Sequence, residues 1–176
     1  IPASWFALLV AVPAALVEAG WEPWQVGVLM LPAAVVGLLV PRVTGPVITR
    51  IGPARSLALA TVIASTSLLL SGLGAHLLSP VVLGTAVVVT TIAFGIGQPS
   101  LNAAVGDAVA EDVRGVALGV ATLMFLIGGS VGSAVVGGLA AVAGMPTGLL
   151  VVAALPMLGL LAVAPLVRRA PAPGAR

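Results

Sequence analysis

Apolar residues fill this chain in six long stretches, at about residues 1–17, 24–43, 56–75, 80–101, 115–142 and 147–167. Within each stretch the apolar positions are continuous rather than alternating. A membrane β-barrel strand would show alternation over about ten residues, and these stretches are too long and too uniform for that. A helix that crosses a bilayer needs about 20 mostly apolar residues, with a range of about 17–25. Helices are then the way to satisfy the backbone where there is no water. The pattern predicts an all-α membrane protein with six transmembrane helices. Each break between stretches contains Gly, Pro or charge, the usual punctuation between helices. The first stretch is short, as expected of a helix that starts upstream of Ile1.

Composition agrees with lipid as the solvent. Only 7% of residues are charged and 60% are hydrophobic, with a mean hydropathy of +1.27. A soluble domain is roughly a quarter charged, so this chain could not cover a soluble core. The pI of 11.2 raises nucleic acid as a partner, but net charge is only +2 and the chain has no lysine. No basic stripe interleaved with aromatics is present either, which excludes a nucleic-acid surface. Without cysteine, and with His76 as its single histidine, the chain has neither a disulfide framework nor a thiolate or histidine metal site. No cofactor is expected. No basic segment precedes the first apolar stretch, so nothing there reads as a signal peptide.

The arginines set the orientation. Alternating six helices across the bilayer puts Arg50, Arg55, Arg114, Arg168, Arg169 and Arg176 on one side, with Arg42 at the adjoining helix end. The opposite loops, 18–23, 76–79 and 143–146, hold no arginine. Arginine gathers on the cytoplasmic face, so both termini are expected there, with residues 168–176 as a basic tail. Trp21 and Trp24 flank the first outer loop, at the headgroup level that indoles prefer.

The stretch "GPVITRIGPAR" (45–55) resembles the signature of the major facilitator superfamily, broadly G-x-x-x-D-R-x-G-R-[RK], between the second and third helices of a six-helix half. Gly45, Arg50 and Gly52 fall in the corresponding places, and Arg55 stands one residue beyond the motif's closing basic pair. Thr49 replaces the family's acidic residue; it keeps a capping hydroxyl but loses the charge–dipole term. "GWEPWQVGVLMLPAAVVGLLVPRVTG" is similar to the second helix of the C-terminal half in fourteen-helix drug:proton antiporters. "GIGQPSLNAAVGDAVAEDVRGVALGVATLMFLIGGSVGSAVVGG" resembles the helix pair that follows. The resemblance implies one half of a major facilitator fold, with an N-terminal half upstream of Ile1. It also implies alternating access, protons as coupling ions, and a small-molecule site between the halves near the midplane. Arg50, Arg55 and Arg114 would then be cytoplasmic latch residues.

Few individual residues carry chemistry. No ionisable side chain sits at the centre of a predicted span, so a coupling carboxylate is expected in the other half. Glu18, at an outer helix end, is the minor candidate here. Asp107 could gate through the arginine loop, or simply belong to a solvated interfacial segment in which Arg114 balances Glu111. Gln98, Pro99 and Asn102 gather in the irregular "GIGQPS" region, either as a gate or as a fraying helix end. Thr91, near mid-span, could face a cavity or bond back to its own helix. Trp5 and Phe6 are candidate cavity walls. Gly128, Gly132 and Gly137 lie in small-residue spacings suited to close helix packing. G-x-S-x-G around Ser130 matches a hydrolase pattern, but that motif needs a strand–turn–helix setting, and an enzyme is not expected. The reading is proton-coupled efflux of apolar or amphipathic molecules such as drugs, in the bacterial inner membrane. The alternatives are export of a sugar, metabolite or antibiotic, and a six-helix partner subunit without transport of its own.

Overall fold

In the computed structural model, the backbone is described for residues 1–169 and side chains through Leu161. All regular structure in this range is helical: α1 (Pro2–Glu18), α2 (Pro23–Ile51), α3 (Pro53–His76), α4 (Pro80–Ala108), a 3-10 turn (Glu111–Val113), α5 (Arg114–Ala143), α6 (Met145–Val152) and α7 (Ala154–Arg169). Arg168 and Arg169 close α7, and the expected basic tail beyond them lies outside the described residues.

Proline starts these helices. Pro2, Pro23, Pro53, Pro80 and Pro146 stand at the first or second position of α1, α2, α3, α4 and α6. There the missing N–H costs nothing, because the first turn has no intrahelical partner for it. The α2 start is also capped, with the Glu22 N–H donating to Gln25 Oε1 at 2.9 Å.

Among the described residues, four helical segments are long and apolar enough to cross a membrane: α2, α3, α4, and α5 together with its preceding 3-10 turn. The apolar α1 and the stretch Met145–Leu161 are shorter. At 1.5 Å per residue, the 17 residues of α1 reach about 25 Å, somewhat less than a hydrocarbon core of about 30 Å. The sixth apolar stretch is divided at Ala153. Pro156, in the first turn of α7, has no N–H to give the Val152 carbonyl, so the ladder is interrupted there.

Two expected loops are mostly helix. The stretch 44–55 was predicted as a loop, yet α2 runs unbroken through Pro41 and Pro46 to Ile51, and α3 begins at Pro53. The chain turns on Gly52 alone, whose φ of 82° suits a residue without a Cβ. Thr49 helps sustain this helix end, its hydroxyl donating toward the Gly45 and Pro46 carbonyls at 3.1 and 3.0 Å. The fourth helix likewise continues past residue 101 to Ala108, which leaves the 3-10 turn at the centre of a short connection.

The bundle centres on α3, which packs most extensively on α4 and also meets α1, α6 and α7. Its buried face is built from small residues, including Ala60, Ala64, Ser67, Ser71 and Gly72. Small side chains let backbones approach where lipid gives no hydrophobic drive between helices. The buried face of α1 is Ser4, Ala7, Leu8, Ala11, Val12 and Leu16, a helical stripe. Buried hydroxyls mostly bond their own helix, as Ser65 to Thr61, Ser71 to Ser67 and Ser100 to Ile96 do. The outward faces of α2 and α5 carry exposed Leu38, Val43, Val116 and Leu123, an apolar exterior suited to acyl chains.

The α1–α5 contact relies on glycine. A Cβ built on Gly132 would sit 2.5 Å from Cα and carbonyl O of Ala3, and one on Gly128 would touch Pro2 at 3.3 Å. Gly129 lies under the Phe6 ring. Gly137, five residues beyond Gly132 and so on a neighbouring face of the helix, faces open space and takes no part in this contact.

Candidate functional site

A cavity of about 330 Å³ opens between α1, α2 and α4. Trp5 comes from α1; Gly37, Val40 and Pro41 come from α2; Thr91, Phe94, Gly95, Gln98 and Pro99 come from α4. Gly37 is the middle residue of the 29 in α2, and Phe94 is the middle residue of the 29 in α4. The site therefore lies halfway along the two longest contributing helices.

Its wall is an aromatic chain. Trp5 stacks on Phe94 with centroids 4.8 Å apart and planes at 21°. Phe94 meets Phe125 edge-on at 5.8 Å, and Phe125 meets Phe6 edge-on at 6.0 Å. Offset and edge-to-face pairs suit the ring quadrupoles. Because the four rings come from α1, α4 and α5, they tie the cavity wall to three helices. Phe6 belongs to this chain but stands behind the cavity, over Gly129.

The floor is set by a close approach of α2 to α4. A Cβ at Gly95 would run into Val40 Cγ1, so only glycine allows the spacing. Thr44 Oγ1 lies 2.9 Å from both the Val40 carbonyl and the Gly95 carbonyl. Its hydroxyl proton thus serves its own helix and α4. Pro99 cannot donate to the Gly95 carbonyl as an ordinary residue four positions on would, and Thr44 supplies the missing donor. Thr44→Val is expected to lower stability by about 1 kcal/mol, typical of hydrogen bonds between membrane helices. Thr91→Val is expected to do less, because the Thr91 hydroxyl bonds Val87 within α4 at 2.8 Å. Thermal unfolding of both variants in detergent checks the difference.

Of the residues singled out from sequence, Trp5, Thr91, Gln98 and Pro99 meet in this lining, whereas Phe6 and Asn102 do not. Asn102 is exposed farther along α4. The sequence reading missed Gly37, Val40, Pro41, Thr44 and Gly95. A visible signal existed, since "GLLVP" (37–41) and "GIGQP" (95–99) are both Gly-x-x-x-Pro.

The arginine motif sits elsewhere. Arg50 is exposed in the last turn of α2, where a cation suits the negative end of the helix. Gly45 faces open space, Gly52 is the joint, and Arg55 is half-buried in the first turn of α3. Arg114 begins α5 and lies beside Gly106, its Cδ and Nε 3.9 Å from where a Cβ there would be. That puts its charge over the C-terminal turns of α4, again the favourable end. Glu18 and Asp107 are exposed at helix ends. Ser130 lies mid-helix with its hydroxyl on the Leu126 carbonyl at 3.0 Å, which gives it no nucleophile geometry.

No curated protein and no solved structure matches the chain. The family model for the Major Facilitator Superfamily matches residues 1–176. With long apolar helices, small-residue packing and a cavity at mid-helix, the chain belongs to the major facilitator superfamily of membrane transporters.

Proposed function

We propose that this chain forms the C-terminal six-helix half of a drug:proton antiporter in the bacterial inner membrane, with both termini cytoplasmic. The observation that carries the reading is the aromatic-walled cavity at the midpoints of α2 and α4. Secondary transporters hold substrate near the midplane, between repeats that rock against each other. In this reading α1 and the α6–α7 pair supply the two crossings beyond the four long segments, with tilt and bilayer thinning taking up their shortness. The cavity suits apolar or amphipathic cargo, because Trp5, Val40 and Phe94 outweigh the amide of Gln98. Among the described residues no lining side chain is acidic, and we place the proton-carrying carboxylate in the transporter's other half. Arg50, Arg55 and Arg114 would meet that half on the cytoplasmic side.

The test is transport by the full-length protein in proteoliposomes under an imposed pH gradient, with ethidium and Nile red as one cationic and one neutral dye. Gradient-dependent movement of either dye, abolished by a protonophore, is expected. Movement of a sugar with neither dye moving would replace drug efflux by metabolite export. If a native protein of 17.2 kDa moved nothing, a partner subunit would remain.

A further inference from the structure

The two Gly-x-x-x-Pro segments face the same cavity, and this decides its polar chemistry. Gly37 and Pro41 on α2, and Gly95 and Pro99 on α4, are all lining residues. Residues four apart share one face of a helix. Glycine has no side chain, so what Gly37 and Gly95 present to the cavity is backbone. In each pair the proline has no N–H, so the glycine carbonyl four residues earlier lacks its usual helical donor. At Gly95 the loss is made good by Thr44 Oγ1, 2.9 Å away. Gly37 has no such help from its neighbour. Thr91 turns its methyl toward Gly37, with Cγ2 3.5 Å from where a Cβ would be, while its hydroxyl is engaged with Val87. Among the described residues no side-chain hydroxyl bonds the Gly37 carbonyl as Thr44 bonds that of Gly95, which leaves it an acceptor at the wall of a largely apolar, aromatic-walled space that also holds the Gln98 amide. A polar group left unmatched in such a place strongly favours any ligand that satisfies it.

We propose that the cavity recognises a flat aromatic molecule with an N–H or O–H donor on its rim, the donor bonding the Gly37 carbonyl while the ring lies against Trp5 and Phe94. The proposal rests on the reading of this cavity as the substrate site, and it adds the feature that selects among apolar cargoes. Pro41 is the device that creates the selectivity.

Carbazole and dibenzofuran test it, being tricycles of nearly the same shape that differ by an N–H in place of an ether oxygen. Tritiated carbazole is bound to the purified full-length protein and displaced by each compound unlabelled. The wild type is expected to prefer carbazole about five-fold, the worth of one net hydrogen bond of about 1 kcal/mol. Pro41→Ala restores an N–H to the helix and re-engages the Gly37 carbonyl. It is expected to bring the ratio near one while dibenzofuran still binds. Pro32→Ala makes the same change on α2 away from the cavity lining and is expected to keep the preference. Both variants add a helical bond, so folding is not at risk. Equal binding of the two tricycles to the wild type, or a preference that survives Pro41→Ala, overturns the proposal. Absence of binding by either tricycle overturns it too, and leaves the transport reading standing if dye still moves. A Pro41-dependent preference in a protein that moves no dye supports the cavity chemistry and removes the drug-efflux reading.

Discussion

Gly132→Leu is expected to leave little folded protein in detergent, while Gly137→Leu, five residues farther along α5, is expected to leave the melting temperature unchanged or slightly raised. Both substitutions add the same side chain to the same apolar helix, and both remove a residue with poor helix propensity. They differ in what the new atoms meet. At Gly132 the first added carbon falls 2.5 Å from the Ala3 backbone, whereas Gly137 has open space. Overpacking against movable side chains costs about 1–3 kcal/mol, and here the obstacle is main chain that cannot rotate away. Relief requires moving α1 off α5. That movement would also pull Phe6 from its place over Gly129 and break the Phe6–Phe125 contact. The measurement is monodisperse yield and thermal unfolding of the two variants side by side. Equal melting temperatures would show that α1 does not pack on α5 through Gly132.

The same pair of glycines shows where sequence reading stops. Spacing puts Gly128 and Gly132 on one face of α5 and Gly137 on the next, and both faces carry small residues suited to packing. Which face meets another helix is settled by tertiary packing. The segment 44–55 misled for a related reason. Gly45 and Pro46 read as breakers by rules drawn from water, where a freed carbonyl can simply hydrate. In a tight bundle a neighbouring hydroxyl can take over a bond that proline removes, as Thr44 does for the Gly95 carbonyl ahead of Pro99. Apolar continuity, by contrast, was legible in the four segments long enough to cross a membrane, α2 to α5, because lipid requires it of the residues on the outside. Trp5, Thr91, Gln98 and Pro99 were visible because polar and aromatic groups stand out in an apolar run. Gly37, Val40 and Gly95 were missed because the Gly-x-x-x-Pro pattern at 37–41 and 95–99 acquires a meaning only once α2 lies against α4.

Trp5→Ala is expected to raise the dissociation constant for carbazole about 30-fold, corresponding to the 2 kcal/mol or so carried by a tryptophan anchor. Trp5→Phe is expected to recover most of that loss, because a smaller ring can still stack on Phe94. The aromatic chain permits a control that separates wall from scaffold. The Phe6 ring meets the cavity wall through Phe125 and Phe94, and Phe6 does not line the space. Phe6→Ala should therefore lower the melting temperature, by opening a hole above Gly129, while changing the dissociation constant by less than about three-fold, near 0.6 kcal/mol. Trp5→Ala should show the reverse balance, since Trp5 is only half-buried and its main partner is one ring. Displacement assays and thermal unfolding on the same preparations give both numbers for each variant. Affinity that follows melting temperature across the set would mean the aromatic chain is scaffold throughout. Affinity that falls at Trp5 and holds at Phe6 would place the ligand on the α1–α4 side of the bundle, against the stacked pair.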